Sequence, residues 1–177
     1  MLKTLVNKSD LITRLRKDLT NNNISHAYLL LGEDLETRAV ASNIMSKILM
    51  CPDGGYDDCV ICKKIDTNSS IDLKILNKDK KADVEDIKDM IKESVKMPWE
   101  SAHRLFLINS ADQLRVDQQN KILKLLEEPP SKVILILMAA DESGLPQTIT
   151  SRTQKLYLPR FSTQEIISEL LEAGIKR

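Results

Sequence analysis

RLFLINSADQLRVDQQNKILKLLEEPP, residues Arg104 to Pro130, decides the architecture of this chain. Leu105-Phe106-Leu107-Ile108 is a short apolar run without polar alternation, which reads as a strand buried on both faces. Asn109-Ser110-Ala111-Asp112 leaves that strand at its carboxyl end, where open parallel sheets place their chemistry. From Asp117 the period becomes helical, with Ile122, Leu123, Leu125 and Leu126 forming one apolar face. Pro129 and Pro130 stop the helix, because proline lacks the N–H and clashes with a helical turn.

The same alternation extends outward. Tyr28–Gly32, Asp72–Leu76, Val133–Met138 and Lys155–Leu158 read as further strands, the last ended by Pro159. Between them lie helical periods. One is capped by Ser9 and carries Leu11, Ile12, Leu15 and Leu19, ending at Asn21-Asn22-Asn23. One reaches about Met50 with Val40, Ile44, Met45 and Ile48, and one is capped by Asp83 with Val84, Ile87, Met90, Ile91 and Val95 inward. Ser162-Thr163-Gln164-Glu165 is a capping box opening a last helix with Ile166, Ile167, Leu170 and Leu171, which Gly174 suits as an end. Strands separated by helices predict an α/β fold on a five-stranded parallel sheet. His26 is read as a hydrogen-bonding group at a strand edge rather than a catalytic base. Lys78–Lys81 is read as a solvated connection, Gly54-Gly55 as a turn, and Trp99 beside Pro98 as a packing anchor.

Strand, loop, helix is also the layout of a phosphate-binding loop, which requires G-x-x-x-x-G-K-[ST]. Gly32-Glu33-Asp34-Leu35-Glu36-Thr37-Arg38-Ala39 has that length but keeps only the first glycine. Thr37 replaces the second glycine, Arg38 the lysine and Ala39 the hydroxyl residue. Glu33, Asp34 and Glu36 add negative charge where a polyphosphate would lie. ATP binding is therefore not expected, although Arg38 retains a phosphate-binding group. Cys51, Cys59 and Cys62, spaced C-x7-C-x2-C, suit thiols or a metal site better than a disulfide framework. A structural zinc site needs four ligands, so zinc stays open; Asp53 or Asp58 could supply an oxygen.

Taken in order, His26-Ala27-Tyr28, the Gly32–Cys51 segment, Ile108–Pro130 and Leu145–Gln154 resemble the bacterial clamp-loader subunits, a branch of the AAA+ P-loop ATPases. The resemblance implies a three-layer AAA+ core over residues 1–160, a zinc-module-like insert at 51–66 and the beginning of a helical lid at 161–177. It also implies that the chain continues past Arg177. Leu126-Glu127-Glu128-Pro129-Pro130 matches the end of the family's helix after its Walker B strand. Asn109 stands where the family has its magnesium-associated Asp, and Ser110 where it has the catalytic Glu. Ala139-Ala140 replaces the polar residue that senses the γ-phosphate, and Ile65 replaces the fourth cysteine of the zinc module. Ser151-Arg152-Thr153 resembles the family's Ser-Arg-Cys motif, whose arginine enters the ATP site of the neighbouring subunit. Losses at the nucleotide positions with the Ser-Arg pair kept are similar to the delta-prime branch rather than to the tau/gamma motor. The resemblance therefore implies a scaffold without intrinsic ATPase activity, part of the DNA polymerase III holoenzyme. Its partners would be the tau/gamma ATPase subunits and the delta subunit, and indirectly the sliding clamp and primer-template DNA.

Composition narrows the alternatives. The chain has 177 residues, 42% apolar and 29% charged, with formal net charge zero, so it carries no global pull toward nucleic acid. Its longest apolar run, Val133–Ala140, is too short to span a bilayer, and MLKTLVNKSD has no signal-peptide core; a cytoplasmic protein without a membrane partner is expected. The main alternative is a divergent ATPase using Arg38 for phosphate and Asp112 for magnesium. A stand-alone zinc or DNA-binding module is opposed by the missing fourth ligand and the 3% aromatic content.

Overall fold

The computed structural model describes residues 2–55, 58–77, 81–162, 164–165 and 167–168. Five strands, β1 (Ala27–Leu31), β2 (Leu73–Leu76), β3 (Arg104–Ile108), β4 (Val133–Ala139) and β5 (Gln154–Tyr157), form one parallel sheet in the order β2-β3-β4-β1-β5. Among the described residues the helices around it are α1 (Leu2–Asn7), α2 (Asp10–Thr20), α3 (Leu35–Met50), α4 (Val60–Asp66), α5 (Val84–Ser94), α6 (Val116–Glu127) and α7 (Gln147–Thr150).

Successive residues along a strand point to opposite faces, and here both faces are covered. Tyr28 and Leu30 enter a core with Ile12, Leu15, Met45 and Ile48 from α2 and α3. Ala27, Leu29 and Leu31 enter a second core with Ile87, Met90, Ile122 and Leu126 from α5 and α6. Strands β1 and β4 are buried along their whole length, as unbroken apolar runs require. The arrangement is the expected three-layer α/β sandwich. Among the described residues no helix is long and apolar enough to cross a membrane.

The sequence reading is adjusted in several places. A short helix, α1, precedes Ser9, and the Ser9 hydroxyl donates to the Val6 carbonyl (2.5 Å) instead of capping α2. The cysteine-bearing insert contains α4. Asp83 caps α5 as expected, in a reciprocal capping box with Asp86. Gly54 and Gly55 form the expected turn, at φ 81° and 80°. The Ser162–Glu165 capping box is present, with the Glu165 N–H donating to the Ser162 hydroxyl (3.2 Å) and the Ser162 N–H to the Glu165 carboxylate (2.7 Å). Ile166, Leu170, Leu171 and Gly174 of that helix, and residues 78–80 of the charged connection, lie outside the described residues.

Trp99 is the main correction: its side chain is 83% exposed and anchors no core. The anchor of that loop is Asp72, whose side chain is fully buried just before β2. Its carboxylate accepts the backbone N–H groups of Trp99, Glu100 and Ser101 at 2.8–3.0 Å and faces the Arg104 guanidinium at 3.4 Å. These groups position the loop between α5 and β3 without help from the indole. Burial pushes the Asp72 pKa up, but the three N–H donors and Arg104 together outweigh it and hold the carboxyl below its ordinary value.

Removing a fully paired buried charge leaves its partners unmet, so Asp72→Ala should lower unfolding stability by about 3–5 kcal/mol in a denaturant titration. Because the folded-state pKa is depressed, the wild-type contribution is complete above the unfolded carboxyl value, about 3.9, and is lost as pH falls through the folded value. The wild-type advantage over Asp72→Ala should therefore shrink below about pH 4. A difference that is constant with pH would count against this role.

Candidate functional site

The carboxyl ends of β1 and β3 are where a nucleotide site would lie in such a sheet. After β1 the loop is short, because α3 already begins at Leu35, inside the stretch aligned with the phosphate loop. Asp34 is its N-cap: one carboxylate oxygen accepts the Thr37 N–H at 2.6 Å and the Thr37 hydroxyl at 2.5 Å. The Thr37 hydroxyl first, then its N–H, hold the Asp34 carboxyl below its usual pKa. A helix N-terminus attracts an anion, and here the chain's own carboxylate takes that place. An N-cap signature, Asp followed three residues later by Thr, was available in the sequence; the phosphate-loop alignment obscured it.

Gly32, the glycine that survives from the motif, has a packing explanation. A Cβ there would sit 2.5 Å from Leu158 Cδ1 and 2.9 Å from Leu158 Cβ, so the glycine admits the side chain that follows β5. Arg38 lies in the first turns of α3, is only 6% exposed, and has a buried Nε without a hydrogen-bond partner. Gly32, Asp34 and Thr37 border a cavity of about 830 Å³ with Leu31, Tyr157 and Leu158. Arg38 is not among the residues lining it.

Ala39 and Asn109 meet elsewhere, on a separate cavity of about 260 Å³ shared with Ser42, Ile75 and Leu107. The fold thus brings together the two positions that the resemblance aligns with magnesium ligands, and they offer a methyl group and a neutral amide. The Asn109 carbonyl accepts from the Asn77 side chain (2.7 Å), and Ser110 adopts a left-handed conformation at φ 48°, turning the chain away from the strand. Asp112 lies on the turn that follows, against Gly144, where a Cβ would come within 2.7 Å of Asp112 Cβ. Asp112 lines neither cavity. The two groups of the divergent-ATPase alternative, Arg38 and Asp112, are not brought together on a common cavity.

Cys51, Cys59 and Cys62 do converge: their sulfurs all lie within 4.8 Å of one another, with Cys51 and Cys59 at 3.3 Å. Cys59 caps α4, accepting the Cys62 N–H at 3.2 Å. Ile65, at the position of the fourth cysteine, is 1% exposed and packs into the core. Three thiolates fit three positions of a zinc ion, and among the described residues no fourth ligand closes the set. Neither Asp53 nor Asp58 joins the cluster. The insert has other supports. Lys47, 2% exposed on α3, pairs with Asp66 on α4 at 2.7 Å, and Arg16 donates to the Gly54 carbonyl at 2.9 Å.

Arg152 lies at the opposite end of the sheet, in the turn between α7 and the amino end of β5. Its Nη1 donates to the Thr148 carbonyl and its Nη2 pairs with Glu127 Oε1, both at 3.0 Å. The side chain is 39% exposed. Close to the same end, His26 Nε2 makes the expected strand-edge hydrogen bond, to the Leu126 carbonyl at 3.2 Å.

A five-stranded parallel sheet in this order, with a loop and helix after β1 and a cysteine cluster joining the end of α3 to the start of α4, has the α/β architecture of clamp-loader AAA+ domains. The chain belongs to the family described as DNA polymerase III, delta subunit, which matches residues 7–162. It is 29% identical over 168 residues to DNA polymerase III subunit delta' of Bacillus subtilis, covering 91% of this chain and 50% of that protein. It is 27% identical over 178 residues to DNA polymerase III subunit gamma of Buchnera aphidicola, covering 98% of this chain and 49% of that protein. A gamma-subunit-related protein of Thermotoga maritima superposes with a TM-score of 0.63 at 17% identity, over 93% of this chain and 50% of that one. The chain spans about half the length of these two curated relatives and 24–30% of the length of others that it matches.

The thiols should differ in reactivity. Burial opposes ionisation of Cys59, but the Cys62 N–H and the neighbouring thiols outweigh it and lower its pKa, and the residue is half-buried where Cys51 and Cys62 are buried. Burial pushes the Cys62 thiol up, reinforced by Cys59 and Cys51. Pulsed alkylation at neutral pH, read by peptide mass spectrometry, should label Cys59 first and Cys62 last; first labelling of Cys62 would contradict this ordering.

Proposed function

We propose that this chain is a delta-prime-type subunit of the DNA polymerase III clamp loader. It hydrolyses no ATP itself and lends Arg152 to the ATP site of an adjacent tau/gamma subunit. In this reading residues 1–160 are the AAA+ core, 51–66 a zinc-module-like insert, and 161–177 the start of the lid. The subunit acts in the cytoplasm as a scaffold beside tau/gamma and delta, and through them serves the sliding clamp and primer-template DNA.

The observation that carries the reading is the contrast between the two ends of the sheet. At the carboxyl ends, Asp34 caps α3 and the magnesium positions hold Ala39 and Asn109. At the amino ends, Arg152 remains accessible on a short turn fixed to β5. A guanidinium is always protonated and presents a rigid fork of N–H donors, which suits it to neutralise charge on a phosphoryl group in transfer. From this chain it would stabilise the transition state in the neighbour while contributing no nucleotide of its own.

Two measurements test the reading. Calorimetric titration of the chain with magnesium-ATP should give no binding heat; micromolar affinity would favour a nucleotide-binding ATPase instead. Arg152→Ala in the assembled complex should slow ATP hydrolysis at the adjacent site by about 10³-fold or more, the scale of an arginine finger. The melting temperature of the subunit should not change, since the pair that is lost is exposed. Unchanged turnover in that complex would remove Arg152 from the mechanism.

A further inference from the structure

We infer that Glu127 is a positioning residue for Arg152, an inference that rests on the finger reading above. Glu127 is the last residue of α6 and Glu128 is its C-cap. Both acids lie at the helix end whose partial charge is negative, where cations are favoured and carboxylates are not. Helix stability therefore does not explain Glu127. Its partner does: Glu127 Oε1 holds Arg152 Nη2 at 3.0 Å.

The second hold comes from another direction. Arg152 Nη1 donates to the Thr148 carbonyl, one turn back along its own segment, at 3.0 Å. Two acceptors on two different terminal nitrogens define the plane of the guanidinium, not merely its distance. A guanidinium has five N–H donors, so the remaining ones stay available on an exposed face. The turn carrying Glu127 is itself fixed. His26 Nε2 meets the carbonyl of Leu126, and Pro129-Pro130 prevents α6 from running on. Leu126-Glu127-Glu128-Pro129-Pro130, far from the nucleotide end of this chain, thereby acquires a task. It sets the orientation in which the finger waits, so that less side-chain freedom is lost when a phosphate is met.

The test is steady-state ATP hydrolysis by the assembled complex, isolated by gel filtration, with wild-type, Glu127→Ala, Glu127→Gln, Arg152→Ala and the Glu127→Ala/Arg152→Ala double variant. Glu127→Ala should reduce kcat about two- to fivefold, the scale of an exposed ion pair, with KM for ATP unchanged. Glu127→Gln keeps an acceptor oxygen and should recover most of the rate. The double variant should be no slower than Arg152→Ala alone, and the Glu127→Ala subunit should melt no lower than wild type. An Arg152→Ala effect with wild-type or faster turnover in Glu127→Ala would overturn the inference and leave the finger reading standing. So would a Glu127→Ala loss that persists at full size in the Arg152→Ala background. A silent Arg152→Ala would remove the finger reading and this inference together.

Discussion

Parallel strands need crossover connections, and those connections cover both faces of the sheet. Here that constraint governs everything else. Tyr28 and Leu30 face one helical layer while Ala27, Leu29 and Leu31 face the other, and the central strands β1 and β4 have no polar side, whereas β5 at the sheet margin exposes Lys155 and Tyr157. Polar chemistry is left to the two edges where strands begin and end. The carboxyl edge receives the loops after β1 and β3, with Asp34 and Asn109. The amino edge receives the turns before β2, β3 and β5, with Asp72, Trp99 and Arg152. The separation of a nucleotide-like end from an arginine-bearing end is thus a consequence of topology.

At the carboxyl edge the positions that align with a phosphate loop and its magnesium ligands carry groups engaged in capping and packing. Ala39 and Asn109 border one cavity because core packing sets the positions of α3 and β3. The helix N-terminus, which in a phosphate loop stays open for the ligand, is closed by Asp34. An N-cap of this kind stabilises by about 0.5–2 kcal/mol, a gain available only when the site need not stay empty for a phosphate. Gly32 follows the same logic: what permits a loop to approach phosphate elsewhere here permits Leu158 to pack.

The strands and long helices were legible because apolar runs and helical periods are local signals. Elements that depend on distant partners were not. The short α1 buries Leu5 and Val6 only because α3 lies beneath it, and α4 begins where a cysteine sulfur, an uncommon cap, meets the Cys62 N–H. Trp99 looked like an anchor, yet Asp72, distant in sequence, takes over its loop through three backbone N–H groups and frees the indole. At the candidate site the substitutions themselves were readable from spacing alone. The burial of Arg38 and the pairing of Arg152 with Glu127 were not, since each depends on contact across the fold; the Asp34 cap was a local signal that the phosphate-loop alignment obscured.

Two arginines at the amino edge show how environment divides structure from availability. Arg104 is 12% exposed, faces the fully buried Asp72 carboxylate and also donates to the Glu93 carbonyl at 3.0 Å. Moving it would strand a buried charge, on a scale of about 3–5 kcal/mol, so it is confined to holding the fold. Arg152 faces a carboxylate that is itself half-exposed. Its exposed pair is worth about 0.2–1 kcal/mol, little enough for a phosphate to compete with Glu127 and enough to bias the side chain toward one orientation. A side chain held that weakly contributes little to stability and can exchange its partner without unsettling the fold.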